Sequence, residues 1–90
     1  MTNRITELLI PSGRSRLEFH IRAGAEPLAV TFRDGYVYLT MVEDLANPIV
    51  PMTFVVVVGL ADFDIGPIFR SLGGVVANGD WVHIFHEVNA

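Results

Sequence analysis

The chain of 90 residues contains no cysteine and no lysine. Without cysteine there is no disulfide, no thiolate metal ligand and no thiol nucleophile, so stability must come from packing. That absence also suits a reducing cytoplasm. Without lysine, all six basic residues are arginine, set against ten acidic ones for a formal net charge of −4. A chain so balanced, with no basic stripe, is poorly suited to nonspecific binding along duplex nucleic acid. Neither a glycine-rich phosphate loop nor a G-x-S-x-G elbow is present, and no catalytic residue, metal or cofactor is expected. The arginine-only cation set has an ordinary source in GC-rich coding bias. Functionally, the forked guanidinium suits bidentate contacts to phosphate or to base edges.

A long uninterrupted apolar run is also missing, although 51% of residues are hydrophobic and the mean hydropathy is +0.46. The stretch "LANPIVPMTFVVVVGLA" is broken by Pro48 and Pro51, leaving the segment "FVVVVGLA". A spanning helix needs about 20 apolar residues, and valine favours strands. One arginine near the start, with no long apolar region behind it, predicts no secretory leader. The expected home of the apolar excess is therefore between protein surfaces. A domain of this size buries only about 60–65% of its unfolded surface, so a homo-oligomer is expected. In particular, "MTFVVVV" is apolar on both faces, and covering both calls for a partner subunit.

Two turn signals organise what is present. "LAVTFR-DG-YVYLTM" sets Asp34-Gly35 between alternating strands, and "GVVA-NG-DWVHIF" does the same with Asn78-Gly79. Both dipeptides favour the positive φ angles of a type I′ turn. "ITELLI-PSGR-SRLEFHIRA" reads as a looser hairpin around Pro11 to Arg14. About seven strands at regular spacing predict an all-β fold in one domain over residues 1–90, a small antiparallel sandwich or barrel built from hairpins. One short helix is expected near residues 65–72, with Asp64 as cap, Pro67 in the first turn and Gly73-Gly74 as the stop.

The segment "DWVHIFHEV" raises the question of a metal site. As the second strand of a hairpin it places Trp81, His83 and Phe85 on one face and Val82, Ile84, His86 and Val88 on the other. His83 and His86 then point apart and cannot share a metal. His83, with Trp81 beside it, is either a histidine packed in a core or interface, or a ligand contact. "ADFDIG" brings Asp62 and Asp64 together, but no third ligand is spaced for a known loop motif. The hairpin around Asp34-Gly35 offers a richer surface. Its pairing sets Arg33 beside Tyr36, Thr31 beside Tyr38 and Ala29 beside Thr40 on one face. Leu28, Val30, Phe32, Val37, Leu39 and Met41 form the opposite, core face. Tyrosines stack on bases and arginine contacts phosphate, so this polar face reads as a nucleotide surface, a subunit interface or a plain solvated face.

From "IRAGAEPLAVTFRDG" through "FVVVVG" to "LGGVVANGDWVHIFHEV", the order of features resembles a family of short uncharacterised phage proteins. Ile21, Ala25, Leu28 and Val30 match its "I-x-x-x-A-x-x-L-x-V" segment. Gly73 to Val75 match a "G-x-V" element, and His83, Ile84 and Phe85 match a terminal "WHVF" strand. The similarity spans roughly residues 17–88. Tryptophan stands two positions before His83 rather than one, and "GLADFD" replaces a small-residue stretch. The resemblance implies a phage origin and, by analogy with phage sponges, a protein that sequesters a cyclic or modified nucleotide immune signal in the host bacterial cytoplasm. Expected contacts are Arg33 to phosphate and Tyr36 and Tyr38 to bases, with Thr31, Trp81 and His83 as further candidates. The alternatives are an accessory phage protein acting through assembly, or an inhibitor binding a host protein directly.

Overall fold

Alternation of apolar and polar residues, punctuated by glycine turns, produces strands throughout the computed structural model, which describes residues 2–88. The strands are β1 (Asn3–Ile10), β2 (Arg16–Arg22), β3 (Glu26–Arg33), β4 (Tyr36–Asp44), β5 (Ile49–Val58), β6 (Phe69–Ala77) and β7 (Asp80–Glu87). They form two antiparallel-paired sheets, one in the order β1-β4-β3 and one in the order β2-β5-β7-β6. The inner faces meet in a core that includes Leu39, Met41, Phe54 and Ile84, each almost wholly excluded from solvent. Burying such side chains stabilises the fold by about 1.5–3 kcal/mol each relative to exposure.

Both tight turns form as the sequence predicts. Asp34 and Gly35 have φ of 53° and 82°, and Asn78 and Gly79 have φ of 51° and 84°. Positive φ at both central residues is the I′ geometry that matches strand twist. The register follows, with Arg33 opposite Tyr36, Thr31 opposite Tyr38, Trp81 opposite Val76 and His83 opposite Gly74.

Four expectations are corrected. First, "PSGR" does not close a hairpin. β1 pairs with β4, and β2 pairs with β5, so the segment carries the chain from one sheet to the other. Each strand finds a longer apolar partner elsewhere, which the local turn signal could not reveal. Second, no helix is present among the described residues. "FRSL" is paired strand, and Gly73, at φ 119°, belongs to a β-bulge opposite β7. That bulge turns Leu72 into the core.

The reason lies in the topology. β5 and β6 both run antiparallel to β7, so they are parallel to each other. The connection from Gly59 to Ile68 must return along five register positions, roughly 17 Å at strand rise. A helix rising 1.5 Å per residue would consume the chain that makes this return. Third, Leu28 does not join the core. A register irregularity between Pro27 and Ala29 leaves it 55% exposed. Fourth, β5 does not need a partner subunit to cover both faces. Val55 and Val57 are buried within the single chain, and Asp62 and Phe63 of the returning segment line the same hollows as these valines. Phe63 stacks on Phe85 at 5.3 Å between ring centroids.

No helix of the described residues is long and apolar enough to cross a membrane.

Candidate functional site: a cleft at the turn end

Strand pairing assembles the polar ladder foreseen on the first sheet, and a residue absent from that reading completes it. Glu7 on β1 lies opposite Thr40 on β4. Its carboxylate accepts two hydrogen bonds from Arg33, one from Nη1 at 2.9 Å and one from Nη2. The Arg33 guanidinium also lies 4.0 Å over the ring of Tyr38. This pairing holds the Glu7 carboxyl below, and the Arg33 guanidinium above, their ordinary values, the mutual hydrogen bond being the main cause for each. Thr31, beside Tyr38, has its hydroxyl buried and without a hydrogen-bond partner. So Arg33, Tyr38 and Thr31 are brought together, but the group is closed on itself. A phosphate arriving here would compete with a bidentate carboxylate, and one face of Tyr38 is already covered.

Tyr36 behaves differently. It is 54% exposed and stands next to the Asp34-Gly35 turn, where it lines a cleft of about 210 Å³. Three connections converge there: the crossover at Pro11–Arg14, the Asp34-Gly35 turn and the Asn78-Gly79 turn. Its floor is apolar, formed by Phe32, Val37, Val56 and Val82, and its rim is polar, formed by Ser12, Arg14, Tyr36, Asn78 and Asp80. A pocket enclosing a whole drug-sized ligand measures about 300–1,000 Å³. This cleft therefore has room for one moiety, with the remainder of a ligand at the rim.

Arg14 is distinctive among the arginines. Arg16 pairs with Glu87 at 2.6 Å, Arg33 pairs with Glu7, and Arg70 pairs with Glu26 at 3.1 Å. Arg22 donates to the Asn47 carbonyl at 3.0 Å. The exposed Arg4 lies close enough to Glu43 to lower its pKa. Among the described residues Arg14 alone of the six has no such partner. The sequence reading missed it, along with Ser12, Asn78 and Asp80. Each turn was legible, but their convergence depends on the crossovers.

Trp81 and His83 share the outer face of the second sheet, away from this cleft, with rings stacked at 5.9 Å. His86 lies on the opposite face, edge-on to Phe54 at 5.9 Å. The two histidines thus point apart, and no group of three or more metal-ligating side chains occurs among the described residues. Asp62 and Asp64 line clefts on the outer face of the second sheet, and among the described residues there is no helix for Asp64 to cap.

Comparison with family models, with curated proteins and with solved structures found no match in any of the three.

Proposed function

We propose that this protein is a non-catalytic binding protein that captures a small nucleotide-type anion in the turn-end cleft. Arg14 contacts the phosphate and Tyr36 stacks on the base. Ser12 and Asn78 supply hydrogen bonds at the rim, and Asp80 accepts from a base amino group or a sugar hydroxyl. The observation that carries this reading is that the unpaired Arg14 and the half-exposed Tyr36 line the same apolar-floored cleft. Free cationic charge and an open aromatic face are the two things that anionic ring recognition requires.

The finer reading is a phage protein that sequesters a host cyclic or modified nucleotide immune signal in the host cytoplasm. It rests on the resemblance over residues 17–88 and on the chemistry of this cleft. The contacts first assigned to Arg33, Tyr38 and Thr31 pass to Arg14, because Glu7 already engages Arg33. An accessory role through assembly is the second reading, favoured by the exposed aromatic face of the second sheet.

The test is a thermal-shift screen of cyclic dinucleotides and nicotinamide-derived signals, followed by calorimetry. Arg14→Gln should weaken binding by about 1.5–3 kcal/mol, and Tyr36→Thr by about 1–3 kcal/mol, at unchanged melting temperature. Arg33→Gln should leave affinity intact. Loss of affinity in Arg33→Gln but not in Arg14→Gln would return the site to the first-sheet ladder. A panel with no binder would remove the nucleotide reading.

A further inference from the structure

A continuous aromatic run occupies the outer face of the second sheet. Trp81 and Val76 are cross-strand partners, each about half exposed. Trp81 stacks on His83, and Phe85 follows two residues along the same strand. Phe85 in turn meets Phe69 edge-on at 5.9 Å and Phe63 in a stack at 5.3 Å. Leu60, 98% exposed, borders the same hollow as His83 and Phe85. Phe63 and Leu60 come from the returning connection, so that segment both covers β5 and adds to the exposed face.

We infer that this face is a self-association surface on which a second copy of the chain docks. Its size is the first argument. A fully exposed large aromatic offers about 150–250 Å², so half-exposed Trp81, Phe63 and Phe69 with Leu60 and Val76 present roughly 500 Å² of apolar surface. That lies at the upper end of the ~300–600 Å² found for the largest patch on a monomer. With a polar rim it approaches the ~800 Å² per partner of a standard interface.

Charge is the second argument. The members of the run named above carry no Asp, Glu or Arg, on a chain of net charge −4. Of the carboxylates that border it, Glu87 is paired with Arg16, and Asp62 and Asp64 flank Phe63 at its edge, so the uncharged centre of the contact is Trp81, His83 and Phe85. A single-stranded nucleic acid would find rings to stack on but little cationic charge, because Arg16 and Arg70 are paired with Glu87 and Glu26. Of the arginines bordering the patch only Arg14, in a hollow it shares with Phe63 and Asp62, has no ion pair among the described residues. A second copy meets the patch with its own apolar equivalent, as a two-fold interface requires. Trp81 and Val76 lie on the opposite face of β6 and β7 from the cleft-lining Ala77 and Val82, so this surface does not depend on the cleft's ligand.

The experiment is sedimentation or light scattering of the full chain across a micromolar to submillimolar range. The expected mass is about 20 kDa, twice the 9.9 kDa of the chain. The double variant Trp81→Thr, Leu60→Gln should raise the dissociation constant by about tenfold or more. Ile5→Thr, on the outer face of the first sheet, should leave it unchanged. A monomer at every concentration overturns the inference, as does a dimer that the double variant leaves intact or that Ile5→Thr dissociates. Should the double variant fail to fold, Trp81 decides in the parent, since it is the single tryptophan. Acrylamide quenching that rises as dilution splits the dimer supports this face, and quenching that stays constant rejects it.

Discussion

Glu43 on β4 accepts a hydrogen bond of 2.8 Å from the backbone amide of Arg22 on β2, linking the two sheets through a buried carboxylate. Its other oxygen accepts from the hydroxyl of Thr6 on β1. These two contacts, Thr6 the stronger cause, hold the Glu43 carboxyl below its ordinary range despite burial. Three strands are thereby tied at the end of the sandwich opposite the cleft.

Replacing Glu43 with methionine fills similar volume but strands both donors. An unsatisfied buried donor costs about 1–3 kcal/mol, so Glu43→Met should lose about 2–4 kcal/mol in urea unfolding. An unchanged midpoint would show that the carboxylate does not join the sheets.

Thr31 gives the opposite expectation. Its hydroxyl is buried without a partner, and valine has the same shape without the polar atom. Thr31→Val should raise stability by about 1 kcal/mol, since it removes a desolvated group that makes no hydrogen bond. A lower melting temperature would mean that the hydroxyl finds a partner in solution.

Gly74 lies beneath the ring of His83. A Cβ there would stand 2.9 Å from the Val82 carbonyl oxygen and 3.3 Å from His83 Nδ1. Backbone has to move to admit it, so Gly74→Ala should cost about 1–3 kcal/mol. Because His83 stacks on Trp81, the same variant should also alter tryptophan emission. Parent-like emission and stability together would place the His83 ring elsewhere.

His86 sets the pH dependence near neutrality. Burial chiefly, and the nearby Arg70 charge secondarily, push its pKa below 6.5. The unfolded chain therefore takes up a proton before the folded one as pH falls. This contribution is fully present above pH 6.5 and is lost progressively as pH drops through the folded value. Glu43 and Glu87, both depressed, act in the same sense at lower pH, below 4.5. For Glu87 the Arg16 hydrogen bond is the leading cause and the Gly66 amide the next. Urea titrations should show His86→Phe flattening the upper part of the profile and leaving the acid limb. A slope between pH 6.5 and 5 retained in His86→Phe would assign it to another group.

Local physics made much of this protein legible in its sequence. Asp34-Gly35 and Asn78-Gly79 demand positive φ, and that demand fixes both turns and the register of the strands they join. Period-two alternation placed Leu39 and Met41 inside and Tyr38 and Thr40 outside, and it set His83 and His86 on opposite faces. The run from Phe54 to Val57 is apolar on both faces because β5 is central and covered on both.

Pairing between distant segments was decided only in three dimensions. Nothing within "ITELLI" says that Glu7 will meet Arg33, because β1 and β3 are brought together by β4 between them. Nothing in "GLADFDIGPIF" distinguishes a helix from an extended return until β5 and β6 are known to be parallel. Short turn signals carry backbone preferences of a residue or two. Strand partners and crossovers are selected by total burial over the whole chain, and that sum exists only once the two sheets have met. The partner of Arg33, the freedom of Arg14 and the cleft between three turns all follow from that choice.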